Sequence, residues 1–190
     1  MRDITLFLRQ MLRNPAQIVA LGPSSSRLGR RMASVLSPED GPILEFGGGT
    51  GRLTRQILAR GIRQDQLAIF ELDPTFAAYL RDEFPEAHVL NTGAQNAADA
   101  PVTAPGATVS GLPILSMPEE LQRAIVGAAF EKMRPGGRYI QFTYGTVPPL
   151  RRAVREELGL TWRTLGRVWW NLPPAQVYEF RKKAVDGTEA

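Results

Sequence analysis

The sequence predicts an α/β fold: a doubly wound, seven-stranded, mostly parallel sheet, preceded by amphipathic helices at the N-terminal end. Three observations carry this expectation. Pro42-Ile43-Leu44-Glu45-Phe46 is a short apolar run with an acid near its tip, followed by four glycines in five residues and the helical pattern Leu53–Ala59, closed by Gly61. That is strand, tight turn, helix, the nucleotide-binding corner of a doubly wound sheet. Leu67-Ala68-Ile69-Phe70 then repeats the apolar run and ends at Glu71, 20 residues after Gly51. From there to residue 183, apolar runs alternate with helical patterns, as crossover-connected strands require.

Taken in order, Arg2 to Arg13 reads as an amphipathic helix. Ile4, Phe7, Leu8, Met11 and Leu12 recur at helical spacing, Arg2, Arg9 and Arg13 lie opposite, and only Leu6 interrupts the pattern. Asn14-Pro15 ends it. Such a helix suits a bilayer interface or its own domain's core, and this stretch alone does not choose. After Gln17–Pro23, the serines at 24–26 cap a helix over Arg27–Leu36 that displays Arg27, Arg30 and Arg31. The glycine loop lacks the Gly-Lys-Ser/Thr of a P-loop, since Gly51-Arg52-Leu53 stands there. It also departs from Gly-x-Gly-x-x-Gly, reading Gly47-x-Gly49-x-Gly51. Glu71, at the tip of the second strand, is placed to accept both hydroxyls of a ribose. Asp73-Pro74 opens the next helix as cap and first residue, running Thr75–Phe84. A third strand is expected over Ala87–Asn91, a fourth over Ala107–Pro118, a helix over Glu119–Met133 and a fifth strand over Arg138–Tyr144. A basic helix over Pro148–Leu158 and strands over Thr161–Trp170 and Ala175–Lys182 complete the chain.

Composition narrows the function classes. With 43% hydrophobic and 22% charged residues, the 190-residue chain is that of a globular domain with a full core. No apolar run nears the roughly 18 residues of a membrane span, and no cleavable signal pattern is expected. Cysteine is absent and His88 is the single histidine, read as structural, so no metal site is expected. Charge is uneven: residues 1–34 and 151–183 are each net +5, while 35–150 is net −4. Basic ends around an acidic centre suggest a cofactor core with a face for an anionic partner, nucleic acid or membrane.

The Glu45-x-Gly47-x-Gly49-x-Gly51 pattern resembles motif I of the class I S-adenosylmethionine (SAM)-dependent methyltransferases. Over nearly its full length the chain resembles, more narrowly, the soluble PmtA-type phospholipid N-methyltransferases of bacteria. The carrying pieces are the N-terminal amphipathic helix, Pro23-Ser24-Ser25, Glu45 to Gly51, Phe70-Glu71-Leu72-Asp73, Ser110 to Pro118, and Asn171-Leu172-Pro173-Pro174-Ala175 before Val177-Tyr178. The resemblance implies SAM as cofactor, with S-adenosylhomocysteine as product, held by Glu45, Phe46, Gly47, Gly49, Gly51, Glu71, Leu72, Gly93, Ala94, Gln95 and Ser110. Glu45 is expected to attract the cationic aminoacyl end. Ala94 and Gln95 replace the acid usual at the adenine corner, which leaves backbone groups or the Gln95 amide to bind adenine. Trp170 stands where the family has Arg.

The activity implied is N-methylation of phosphatidylethanolamine and its mono- and dimethyl products toward phosphatidylcholine. Arg27, Arg31, Gly111, Leu112, Pro113, Tyr144 and Asn171 are the expected substrate residues, and Tyr144 the expected proton acceptor or relay. An rRNA adenine N6-dimethyltransferase-like enzyme is the second reading. Gly111-Leu112-Pro113-Ile114 speaks against it, lacking both the amide and the stacking ring that hold a flipped base. A non-catalytic SAM- or lipid-binding module is the third. Residues 1–36 are expected to form a membrane and substrate cap, 37–183 the SAM-binding domain and 184–190 a tail. The protein is expected to be cytoplasmic and peripheral on the inner face of the membrane, meeting anionic lipid through residues 1–13.

Overall fold

The computed structural model describes residues 25–169 and 174–183. The helix expected over 2–13, the segment from there to Ser24, Trp170, Asn171-Leu172-Pro173 and the tail 184–190 lie outside them.

Seven strands form one sheet: β1 (Ile43–Phe46), β2 (Leu67–Phe70), β3 (His88–Leu90), β4 (Ala107–Ser110), β5 (Arg138–Thr143), β6 (Leu160–Val168) and β7 (Ala175–Lys182). Their order is β3-β2-β1-β4-β5-β7-β6. The first five run parallel, and β7 is antiparallel to both β5 and β6. This is the doubly wound, seven-stranded sheet that the sequence predicts. The order reverses direction between β1 and β4, so the crevice of such a sheet lies at their carboxyl ends.

Among the described residues, five α-helices cover the faces: α1 (Ser25–Ala33), α2 (Arg52–Leu58), α3 (Pro74–Glu83), α4 (Glu119–Lys132) and α5 (Arg152–Glu157). Strand side chains alternate between faces. Leu44, Phe46, Phe70 and Tyr139 pack with Leu121, Ile125 and Ala129 of α4. On the other face Ile43, Ile69, Val109 and Ile140 pack with Leu28 and Met32 of α1, Ile57 of α2 and Leu80 of α3. Asp73 caps α3 as expected, its side chain accepting from the Thr75 and Phe76 amides at 2.8 and 3.1 Å, with Pro74 first in the helix.

Most boundaries shift by a residue or two from expectation, and three elements shift further. The fourth strand ends at Ser110, because Pro113 has no N–H for the ladder and Ile114–Ser116 coils into a 3₁₀ turn. The helix expected over 148–158 is confined to Arg152–Glu157, beyond Pro148-Pro149. The helix expected over 27–36 begins at Ser25 and ends at Ala33.

Candidate functional site

Parallel register brings the strand tips level. Phe46 pairs with Phe70 and Ser110, Phe70 with Leu90, and Ser110 with Gln141. The ladder continues one step: the Gly47 amide donates to the Phe70 carbonyl and the Gly111 amide to the Phe46 carbonyl, both at 2.8 Å. The loops leaving β1, β2, β3 and β4 therefore start side by side. Between them lies a small, partly open, mostly apolar cleft. Gly47, Glu71, Leu72, Gly93, Ala94, Leu112 and Pro113 line it, all expected site residues, and Phe70, Thr92, Met117 and Ile125 complete it.

Glu71 ties the two halves of the site together. Its carboxylate accepts from the Gly49 amide through Oε2 and from the Asp73 amide through Oε1, each at 2.8 Å. Each oxygen keeps a lone pair for another donor. Burial raises its pKa, with the backbone donors opposing. Asn91, just beyond β3, fixes the adjoining backbone by donating from Nδ2 to the Glu71 and Leu72 carbonyls at 2.9 and 3.1 Å. The glycine loop is braced from outside by Arg55, which donates to the Thr50 carbonyl at 3.0 Å while paired with Glu83 at 2.6 Å.

Glu45 is not a cleft-facing carboxylate. It is fully buried beneath α2, where the Thr54 hydroxyl donates to Oε1 at 3.0 Å and Oε2 has no partner. Burial pushes its pKa up to about 8, so it holds a proton at neutral pH. The Phe46 ring lies in the core edge-on to Phe70, 5.4 Å between centroids. Gly51 caps α2 at φ 72°. Ser110 is buried, its Oγ accepting weakly from the Leu112 amide at 3.4 Å. Gln95 folds its amide back against Gly93 at the adenine corner, and its Oε1 is buried without a partner.

These features fit the cofactor that motif I implies. Among the described residues, the buried side-chain polar atoms lacking a partner are Glu45 Oε2 and Gln95 Oε1. The first is buried beneath α2 and is no part of the cleft lining; the second belongs to Gln95, next to cleft-lining Ala94. Gln95 Oε1 is a hydrogen-bond acceptor, as an exocyclic adenine amino group requires. At Gly49, φ is 50° and nothing lies within 4 Å of where a Cβ would stand, so the backbone is bare on that side.

On the acceptor side, Leu112 and Pro113 line the cleft. The Leu112 carbonyl is already filled: the Ile114 amide and Gln141 Nε2 both donate to it at 2.8 Å. Tyr139 in turn donates to Gln141 Oε1 at 3.3 Å, and burial pushes its phenol pKa well up. Gln122 Nε2 holds the Ile114 and Met117 carbonyls at 3.0 and 3.2 Å, while its Oε1 accepts from the Arg151 amide at 3.0 Å. Sequence reasoning passed over Thr54, Gln122 and Gln141. The signal for both glutamines was present, an amide inside an otherwise apolar strand or helix face. Tyr144 stands just past β5, 36% exposed and edge-on to Phe142. The Arg31 guanidinium lies against Gly166 of β6, away from the cleft lining, and Arg27 is exposed on α1. Asn171 is outside the described residues.

No family model matches the chain. An ornithine lipid N-methyltransferase from Singulisphaera acidiphila is 30% identical to it over 151 residues, which cover 75% of this chain and 79% of that protein. A TehB-like SAM-dependent methyltransferase from Corynebacterium glutamicum superposes with a TM-score of 0.60 at 19% identity, over 96% of this chain and 100% of its own. The mitomycin 7-O-methyltransferase MmcR gives 0.66 at 14% identity, over 93% of this chain and 60% of its own. The glycopeptide N-methyltransferase MtfA, solved with SAM, gives 0.61 at 16% identity, over 83% and 94%. The solved structures share the fold with this chain, and the relative shares its sequence across most of both proteins. The chain belongs to the lipid N-methyltransferase family of class I SAM-dependent methyltransferases.

Proposed function

We propose that the protein methylates the amine nitrogen of a membrane-lipid head group, with phosphatidylethanolamine and its mono- and dimethyl products as substrates. The observation that supports this most is the cleft wall of Leu112 and Pro113, where the Gly111-Leu112-Pro113-Ile114 sequence carries neither an amide nor a ring for a base. In this reading Glu71 takes the ribose hydroxyls, Gly93, Ala94 and Gln95 the adenine, and the glycine loop the aminoacyl end. When bound, the cofactor supplies an electrophilic methyl group on a cationic sulfur.

The chain's residues then have two tasks. They align the amine, for which good orientation can contribute roughly 7–11 kcal/mol. They also favour its neutral form, since a free amine of this kind has a pKa of about 10 and its ammonium has no lone pair. The apolar wall of Leu112, Pro113 and Met117 disfavours the charge. Tyr144 is the proposed relay for the proton lost at each methylation, and Arg27 and Arg31 the proposed partners of the head-group anion. The Leu112 carbonyl, already holding two donors, is not available to the amine. Residues 1–36 form the membrane and substrate cap, with residues 1–13 on the anionic inner face of the membrane, where each basic residue adds about 1 kcal/mol.

A second reading keeps the reaction and changes the lipid. The relative that is 30% identical acts on ornithine lipid, whose head group is an amino acid rather than a phosphoethanolamine. One assay separates the readings: methyl-labelled SAM is incubated with protein and liposomes carrying phosphatidylethanolamine, ornithine lipid or neither. Label in the first lipid supports the proposal and label in the second alone supports the alternative. Label in RNA, or SAM binding without any transfer, overturns both.

A further inference from the structure

Charge is unevenly placed along the edges of the sheet. At the amino edge, the connections carry Glu39, Asp40, Arg60, Arg63, Asp65 and Arg134. At the carboxyl edge, the connection leaving β2 carries Glu71 and Asp73, whereas the connections leaving β4, β5 and β6 open with residues 111–118, 144–150 and Trp169, none of them Asp, Glu, Lys or Arg. They expose apolar and aromatic side chains instead: Leu115 at 42%, Val147 at 58% and Trp169 at 67%. Because β4, β5, β7 and β6 are consecutive, these residues are spread along one edge over about three strand spacings, roughly 14 Å. Leu112 and Pro113, which line the cleft, belong to the first of the three connections.

Arginines bracket the uncharged stretch. Arg167 stacks over the Trp169 ring with its guanidinium carbon 4.4 Å from the centroid. Arg31 lies against Gly166 beside it, and exposed Arg151 follows the second connection directly. The acids that follow the first connection, Glu119 and Glu120, open α4, and Glu119 is paired with Arg123 at 3.1 Å. Apolar and Trp side chains flanked by arginine match a bilayer interface, where Trp sits at head-group level and basic groups meet anionic lipid.

We infer that Leu115, Val147 and Trp169 form a second membrane contact, separate from residues 1–13, that seats the cleft mouth directly on the bilayer. The inference rests on the lipid-substrate reading and adds to it the face by which lipid enters. Exposed apolar surface beside a substrate mouth shortens the path by which a head group leaves the bilayer, since the acyl chains need not cross water.

The absence of cysteine makes the test direct. Nitroxides are attached singly to Leu115→Cys, Val147→Cys, Trp169→Cys and, as a reference on the amino edge, Asp65→Cys. Relaxation by a water-soluble nickel complex and by oxygen is then read with vesicles of phosphatidylethanolamine and phosphatidylglycerol. The expected result is at least about a fivefold loss of nickel access with a gain in oxygen contact at 115, 147 and 169, and no change at 65. A protein that binds the vesicles while all four labels stay equally wet overturns the proposal, as does a protein that does not bind them. Loss of access that follows protein concentration without vesicles assigns the face to a second copy, and also overturns it. In parallel, Val147→Asp is expected to lower the vesicle-bound fraction severalfold while methylation of lipid in detergent micelles stays within about twofold. Absence of label transfer in micelles by the unaltered protein sinks the lipid-substrate reading instead, so the two failures are distinct.

Discussion

At Glu45, an acid sits fully buried with a hydroxyl on one oxygen and nothing on the other. Its folded pKa of about 8 lies above its ordinary 4.5, so the folded chain holds this proton more tightly than the unfolded chain does. The stabilisation is complete below pH 4.5 and is lost as pH rises toward 8. Glu45→Gln keeps the shape and the acceptor for Thr54 but cannot ionise. The cofactor-free variant is expected to lose less melting temperature than the parent between pH 5 and pH 8, as thermal denaturation at the two pH values would show. The glycine loop offers a second contrast. A Cβ on Gly48 would meet Ile69 Cγ2 at 2.5 Å and Leu80 Cδ1 at 2.7 Å. Gly48→Ala is therefore expected to destabilise by about 1–3 kcal/mol in urea unfolding. A Cβ on Gly49 meets nothing, so Gly49→Ala adds only the strain of its φ of 50°, roughly 1–2 kcal/mol. Its larger effect is expected in calorimetry, as at least a tenfold loss of cofactor affinity, because the backbone there must stay bare.

Among the elements, the turn Ile114–Ser116 is clasped by one side-chain amide in addition to its own backbone bonds. Gln122 donates to the Ile114 and Met117 carbonyls and accepts from the Arg151 amide. Gln122→Leu is close in volume but takes the side-chain partner from the Met117 carbonyl and the Arg151 amide, and leaves the Ile114 carbonyl with the Met117 amide alone. It is expected to lower stability by at least about 2 kcal/mol in urea unfolding and to raise the KM for lipid more than that for cofactor. This clasp also shows where the sequence stops being legible. The acid-tipped strands β1 and β2 and the Asp73-Pro74 cap follow from local rules, because periodicity and capping act within a few residues. The length of β4 did not follow, because Ala107–Pro118 is apolar throughout and only the position of Pro113 marks its end. Nor did the role of Glu45: its spacing places it beside the glycines, while its orientation toward Thr54 is set by which face of the sheet α2 covers.

Across the whole molecule, charge is unevenly placed along the sheet, and the carboxyl-edge connections of β4 and β5 are uncharged and bracketed by arginine. Among the described residues no helix is long and apolar enough to cross a membrane. Removing residues 1–13 is expected to reduce sedimentation with anionic vesicles severalfold and leave cofactor affinity within about twofold. An unchanged sedimentation would assign that segment to the core instead. The doubly wound, seven-stranded and mostly parallel character of the sheet was recoverable because strand count and crossover lengths leave few alternatives.

A catalyst that gathers on a lipid surface becomes locally crowded, and crowding tests its outermost strand. β6 is the terminal strand of the sheet and spans nine residues, long enough to template a neighbouring chain. Its pairing with β7 slips between Thr164 and Gly166, and Arg163 and Arg167 punctuate it. Arg31 fills the space beside Gly166, closing off the irregular stretch. In the proposed membrane-bound state, Arg31 and Arg167 have this second consequence: they repel another copy approaching edge to edge.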